Sequence, residues 1–489
     1  MLKFDLDKFL RVFLYNPKQP LIFNTAFFFF LFIGFLFIYQ FVHKNQKAKI
    51  IYICLFSTYF YYKSNGVFVL LLLFTAISDY ILAEYIDKTG SKTKKQILLI
   101  CSLLINIGIL SYFKYAGLFI SNINSIFSKN LMTSNIILPI GISFYTFKSL
   151  SYIIDVYRGK IKRANNILDY WFFVSFFPEI LSGPITRAGE FISQIGRDVF
   201  VRKEDIGKAL YLILAGLFKK AIIADYISIN FVDRVFDNPK LYSGVENLFA
   251  VYGYALQIYC DFSGYSDIAT GIALLMGFKL CVNFNSPYVS SNLTEFWRRW
   301  HISLSTWFRD YVYIPLGGNR KGKIRQYLNL FVTMLLAGLW HGAGWKFIIW
   351  GGIHGLGLIF NKIFRSIVGI KENKYFKYLS IIFTFNFVCL AWIFFRAKSY
   401  PVAIDIIKQI SVNFNGQIFI QLISSFQLVS VLILIGFASH FMPEAVRSKS
   451  ENIITNSPIF LQAVYVTAMI FLIIQFKSSG IRPYIYFKF

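Results

Sequence analysis

Two histidines pose the chemical question. His341 stands inside the apolar run "LLAGLWHGAGWKFIIWGGIHGLG", and His301 inside "EFWRRWHISLSTWFRDYVYIPLGGNR", residues 295–320. A neutral imidazole can accept a proton near pH 7 and return it, so such residues suit acid–base work on a hydroxyl. An ionisable side chain within an apolar run is costly and marks a functional site by default. A lone buried histidine is still more often a satisfied core group than a catalyst. His354, also buried in pattern and glycine-flanked, reads as structural. Around His301 the same short segment gathers Arg298, Arg309, two carboxylates and three tryptophans.

The elements that must hold these residues are membrane helices. The chain has 489 residues and is 56% hydrophobic, 19% aromatic and only 15% charged, against about 25% charged in an ordinary globular protein; its mean hydropathy is +0.56. A bilayer-crossing helix needs roughly 20 apolar residues. Apolar runs recur at 21–42, 50–62, 66–86, 97–120, 206–227, 244–278, 326–340, 345–364, 377–395, 418–441 and 459–476. None shows the strict alternation of a membrane β-barrel strand. The fold class is therefore all-α and polytopic. No cleavable signal is expected, because the first apolar run follows an amphipathic segment, residues 1–20, and has no small-residue cleavage site behind it.

Charge placement sets orientation. The net charge of +26 would suggest nucleic acid on a soluble domain. Here the cations lie in short connectors, at Lys44, Lys47 and Lys49, at Lys88, Lys92, Lys94 and Lys95, and at Arg158, Lys160, Lys162 and Arg163. By the positive-inside rule these connectors are cytoplasmic and the amino terminus lies outside; the excess also favours anionic lipid. Cys54, Cys101, Cys260, Cys281 and Cys389 are scattered without metal-ligand or disulfide spacing and read as small buried hydrophobes. No metal and no nucleic-acid partner is expected.

Two apolar segments are interrupted. "LPIGISFYTFKSLSYIIDVYRG" carries Pro139, Gly141 and Lys148, and "WFFVSFFPEILSGPITR" carries Pro178, Glu179, Gly183 and Pro184. Broken backbone survives at membrane depth only where protein or a water-filled cavity satisfies it, so both read as re-entrant segments lining an interior space. Without repeats or long linkers, residues 1–489 read as one domain, with 287–345 its core region and 478–489 an aromatic tail. Within 287–345, Asn292 and Glu295 form a helix-start signature. The spacing of Trp297, Trp300, Leu304, Trp307 and Tyr311 predicts one continuous helix with an aromatic stripe. Arg298, His301, Ser305 and Arg309 fall on another face. An interfacial helix with snorkelling arginines explains that pattern as well as a functional face does. Near His341, Gly338, Gly342 and Gly344 permit close helix approach.

These segments, with "FFPEILSGPITR" and "YCDFSGYSDIATG", resemble the membrane-bound O-acyltransferase family, specifically the bacterial branch typified by the alginate O-acetyltransferase membrane subunit. The resemblance spans nearly the whole chain. It implies a ring of about 11–12 transmembrane helices, with re-entrant and interfacial helices, around a central tunnel in the bacterial cytoplasmic membrane. Acetyl-CoA would enter from the cytoplasm, no cofactor would be bound permanently, and an extracytoplasmic esterase-like or acetyltransferase partner would receive the acyl group for polysaccharide or peptidoglycan.

On that resemblance His341 matches the near-invariant histidine and would remove the acceptor's proton. His301 would orient the acceptor or donate a hydrogen bond to the tetrahedral oxyanion. Arg298, Trp300, Ser305 and Trp340 would line the substrate tunnel. Asp261 and Asp267, within a membrane run that also holds Ser263, Tyr265 and Ser266, read as a hydrogen-bonded network in its wall. Asn319 and Arg320, in "GGNRKGKIR", are candidates for the coenzyme A phosphates, although a cytoplasmic anchor loop reads as well. The tail "SSGIRPYIYFKF" reads plainly as an interfacial aromatic anchor. It also resembles a terminal motif whose tyrosine, here Tyr486, would carry the acyl group, with the carboxyl terminus outside. A D-alanyl transferase for teichoic acid shares the histidines. A transporter would share the broken helices but should show paired repeats, and none is evident.

Overall fold

The computed structural model describes residues 11–131, 136–368, 374–476 and 482–488; residues 1–10 of the amphipathic segment and 478–481 of the tail lie outside the described residues. Among the described residues all regular structure is helical. Among the described residues five helices are long and apolar enough to cross a bilayer: Gln46–Lys88, Lys92–Phe127, Trp345–Ile367, Tyr375–Arg396 and Ile459–Phe476. A sixth span would be the pair Gly416–Ser425 and Gln427–His440, bent by 97°. The apolar runs of the sequence thus yield fewer uninterrupted candidate spans than runs. The run at 206–227 opens from the helix Lys203–Leu217 into π-helical turns bearing Lys219 and Lys220. The helix Gly244–Leu275 carries Asp261 and Asp267 in its length.

The chain divides into two compact units. One comprises Met1–Ala209, Ala269–Cys281 and Tyr486–Lys488, the other Leu210–Ile268 and Val282–Ile485.

In the first unit both interrupted segments lie inside protein. The helix Ile142–Tyr157 is buried along almost its whole length. It starts at Gly141, whose φ of +83° favours glycine and where a Cβ would sit 2.3 Å from the Ile180 carbonyl oxygen. The second segment forms Ile167–Ser175, breaks before Pro178, makes one turn at Phe177–Ile180, and continues as buried irregular backbone. Two internal hydrogen bonds hold that stretch, Gly183 N–H to the Glu179 carbonyl at 2.8 Å and Thr186 N–H to the Pro184 carbonyl at 2.9 Å. Two of the charges these segments carry are buried as a pair. Lys148 Nζ lies 2.7 Å from Glu179 Oε2, and the Thr186 hydroxyl donates to Glu179 Oε1 at 2.6 Å. Removing one member of such a buried pair costs about 3–5 kcal/mol.

The second unit is held by glycine crossings. A Cβ on Gly338 would come within 2.2 Å of the Phe347 carbonyl oxygen, and one on Gly351 within 2.3 Å of the Met334 carbonyl oxygen. The helices Gly322–His341 and Trp345–Val368 can therefore touch backbone to backbone. A Cβ on Gly342 would strike the Phe347 ring at 2.2 Å, whereas Gly344 has only contacts at 3.8 Å. Of the three glycines around His341, two are sterically required. Gly216 and Gly264 make a second crossing, each Cβ position within 2.8 Å of the other's carbonyl oxygen.

Candidate active site

His341 is the last residue of the helix Gly322–His341 and is 2% exposed. Its ring meets Trp350 and Phe395 edge-on, with centroids 4.9 and 5.2 Å away. Trp340 stands between the two candidate histidines, its ring 5.0 Å from that of His341 and 6.0 Å from that of His301. Residues far apart in the sequence are thus gathered in one buried aromatic cluster, where low polarity strengthens any hydrogen bond that is made.

The segment bearing His301 departs from the expected single helix. It forms two short helices, Leu293–Arg299 and Ile302–Phe308, that break at Trp300 and His301. His301 has φ +42°, a left-handed conformation costing about 1–3 kcal/mol in a non-glycine residue. The break is stitched to residues 283–285: Ile302 N–H donates to the Asn283 carbonyl at 2.9 Å and Asn285 N–H to the Arg299 carbonyl at 3.0 Å. The predicted aromatic stripe is therefore not one helical face. The start is as read, with the Asn292 side chain accepting from Glu295 N–H at 2.9 Å.

The break turns the His301 ring fully inward, with no exposed surface. Phe262 meets it edge-on at 4.6 Å and Phe284 lies 6.3 Å away. Its Nδ1 is 3.0 Å from Asn283 Oδ1. Asn283, 3% exposed, was not singled out from sequence. The available signal was an amide in an apolar stretch just ahead of Pro287.

The other predicted residues scatter around this centre. Trp300 is fully buried and packs on Trp392 at 5.0 Å and Phe284 at 5.2 Å. Ser305 donates to the Trp300 carbonyl at 3.1 Å, closing the break. Arg298 is exposed and lines an open cleft of about 1370 Å³ with Glu295, Ile353, Phe360 and Phe387. His354, fully buried, is caged by Trp297, Trp350 and Phe296. Asn319 and Arg320 are exposed in the turn between Arg309–Tyr313 and Gly322–His341.

The two aspartates form ion pairs across neighbouring helices. Asp267 lies 2.7 Å from Lys219 Nζ, and Asp261 lies 2.7 Å from Lys220 Nζ, which also reaches Asp225 at 2.9 Å. Asp261 Oδ2 accepts the Ile485 N–H at 2.8 Å, and Lys220 Nζ sits 4.6 Å from the Tyr484 ring centroid. The carboxylate network therefore clamps the end of the chain. Tyr484, Tyr486 and Phe487 are 1%, 4% and 9% exposed, so the reading of the tail as an interfacial anchor gives way to one in which its rings pack within protein. In the first unit the Tyr486 ring makes an edge contact with Phe144 at 6.5 Å.

Residues 160–400 match the model of the membrane-bound O-acyltransferase family, and the chain belongs to that family. Similar proteins include a peptidoglycan O-acetyltransferase of Helicobacter pylori, 35% identical over 94% of this chain and 90% of that protein. A probable alginate O-acetylase of Pseudomonas aeruginosa is 38% identical over 78% and 73%. A teichoic acid D-alanyltransferase of Bacillus subtilis is 32% identical over 54% and 70%. The protein is a membrane O-acyltransferase.

Proposed function

We propose that this enzyme takes an acetyl group from cytoplasmic acetyl-CoA and passes it through a tunnel across the cytoplasmic membrane to an extracytoplasmic acceptor, for O-acetylation of a cell-envelope polymer or exopolysaccharide. The observation that carries this reading is the pair His301 and His341 flanking Trp340 in a buried aromatic cluster. Thioester-to-alcohol transfer needs one group to take the hydroxyl proton and another to face the tetrahedral oxyanion, and two imidazoles supply both without a serine nucleophile. The similarity to a peptidoglycan O-acetyltransferase over nearly the full chain supports a glycan polymer as final acceptor, with alginate-like polysaccharide the neighbouring possibility.

Orientation follows from charge. The connectors 44–49, 88–95 and 158–163 are cytoplasmic, with both termini outside. The exposed turn at Asn319 and Arg320 is a candidate contact for the donor's phosphates. Tyr486 is a candidate acyl relay: a phenol is a better leaving group than an alkyl alcohol, so an aryl ester there would stay activated for transfer to an extracytoplasmic partner protein. Asp261 supports this reading by holding the chain one residue before Tyr486.

The second reading, D-alanyl transfer from a carrier protein, rests on the 32% identity to a teichoic acid D-alanyltransferase over 54% of this chain. Purified protein in proteoliposomes, offered acetyl-CoA or a D-alanyl carrier thioester, separates the two. Hydrolysis-corrected consumption of acetyl-CoA alone is expected. Turnover of the D-alanyl thioester alone would replace the donor.

A further inference from the structure

The cleft that Arg298 lines is built from three elements of the second unit: the short helix Leu293–Arg299 and the two candidate spans Trp345–Ile367 and Tyr375–Arg396. Its lining is sorted by chemistry. Lys362 and Arg365 stand in the last two turns of one span and Lys377 in the first turn of the next, so three cations gather at one end. From that end two apolar rows run along the walls, Phe364, Phe360 and Leu356 on one helix and Leu379, Phe383 and Phe387 on the other. Spacing of four residues keeps each row on one helix face. All but Phe387 are exposed. The one carboxylate among the described lining residues, Glu295, is tied to Arg299 at 3.0 Å and accepts from Ser291, so the cleft as a whole is cationic.

The cationic end can be placed against the membrane. Gly351 meets the Met334 backbone and Gly355 meets Phe331, so the helices Gly322–His341 and Trp345–Val368 run antiparallel, and the start of the first lies level with the end of the second. Arg320, Lys321, Lys323 and Arg325 therefore join Lys362 and Arg365 at one end of the helix pair. By the positive-inside rule that end is cytoplasmic. Lipid of the cytoplasmic leaflet carries the negative surface charge. From Arg365 to Ile353 the helix rises about 18 Å, close to half of the roughly 30 Å hydrocarbon core. The cleft has the length of one leaflet's acyl chains.

We propose that this cleft holds one anionic phospholipid of the cytoplasmic leaflet, with its phosphate between Lys362, Arg365 and Lys377 and its acyl chains along the rows of Phe360 and Phe383. A flat helix face meets any lipid. A concave site of about 1370 Å³ with cations grouped at its cytoplasmic end selects by charge as well as by shape.

The occupant bears on the reaction centre through the third wall. Leu293 begins the helix that ends at the His301 break, and Gly357 lets Leu293 and Phe387 approach so closely that a Cβ there would lie within 2.6 Å of both. Trp297, on the same short helix, packs on Trp350 at 5.7 Å, and Trp350 packs on His341 at 4.9 Å. A lipid seated in the cleft therefore braces the helix that leads into His301 and the ring that backs His341. This brace, unlike the binding, rests on the acyl-transfer reading of the two histidines.

The test is lipid retention by the full-length protein, read by native mass spectrometry after delipidation in detergent and titration with phosphatidylglycerol or zwitterionic phosphatidylcholine. Wild type should retain one phosphatidylglycerol in preference to phosphatidylcholine. Lys362→Gln combined with Lys377→Gln should weaken that retention about 10- to 30-fold, the effect of two lysines near an anionic headgroup, and Lys362→Arg combined with Lys377→Arg should keep it. Lys92→Gln combined with Lys94→Gln, an equal loss of charge at an exposed connector, should leave it unchanged. Equal retention of both lipids, no loss in the Lys362/Lys377 glutamine pair, an equal loss in the connector pair, or a second copy of the chain retained in place of lipid overturns the proposal. Where the glutamine pair does not accumulate, crosslinking of wild type decides. Phosphatidylglycerol with a photoreactive acyl chain should label residues 353–364 and 376–387, competed by unlabelled phosphatidylglycerol and not by phosphatidylcholine; label that escapes this competition, or that misses both stretches, overturns the site.

The brace is read separately. Acetyl transfer in proteoliposomes should rise severalfold when phosphatidylglycerol replaces phosphatidylcholine, and the rise should vanish in the glutamine pair. A rate indifferent to the lipid overturns the brace and leaves the site to the retention measurement. A wild-type protein that transfers no acetyl group in either lipid counts against the acyl-transfer reading, and retention still decides the site.

Discussion

Replacing His341 by alanine should leave the protein at normal abundance in the membrane and lower acetyl transfer at least about 10²-fold. Loss of a proton acceptor costs about 10²–10⁴ and loss of an oxyanion donor about 10²–10³, so the expected defect holds whichever role His341 plays. In barrier terms this is roughly 3 kcal/mol or more. The fold should tolerate the change, because the Gly338–Gly351 crossing that sets the two helices together does not involve the imidazole. Quantifying product acetylation against protein level in membranes checks it. Near-normal acetylation with normal protein would remove His341 from the mechanism.

Tyr486→Phe should abolish transfer to the polymer while leaving protein abundance and coenzyme A binding unchanged. The substitution keeps the ring, and with it the edge contact to Phe144, and removes only the oxygen that would form the aryl ester. The clamp of Asp261 on the Ile485 N–H remains in place. Intact-protein mass spectrometry of the trapped wild-type enzyme should find an acetyl group on the terminal peptide. Full activity in Tyr486→Phe would reduce the tail to a packing element.

Much of this arrangement was legible because membrane sequences punish exceptions. Lys148 and Glu179 in apolar runs had to find each other or water, and they pair at 2.7 Å. Asp261 and Asp267 likewise announced a network, and each meets a lysine. Glycines beside His341 foretold a backbone-to-backbone crossing. What could not be read is non-local. The helix break at His301 puts a non-glycine residue at φ +42°, which no local pattern advertises and which hydrogen bonds with residues 283–285 hold. The aromatic spacing of 297–311 fits a continuous helix equally well, so periodicity misled there. Apolar runs and long helices do not correspond one to one for a different reason: apolar content marks segments suited to a membrane, but π-helical turns at Lys219 and Lys220 and the bend before Gln427 interrupt them. The tail was ambiguous because tyrosines and a lysine suit an interface as well as a packed interior. Burial decided between the two.

The central claim is that the acetyl group crosses the membrane through this protein, and vectorial transfer tests it most directly. Proteoliposomes are prepared with the acceptor polymer and partner protein sealed inside, and their orientation is read by impermeant labelling of a Lys92→Cys variant whose native cysteines have been replaced. Isotope-labelled acetyl-CoA is then supplied only outside. In vesicles whose 88–95 connector faces outward, label should appear on the enclosed polymer and be lost in the His341→Ala protein. Label confined to the outer solution, or reaching the lumen equally without His341, would contradict transfer across the membrane by this enzyme.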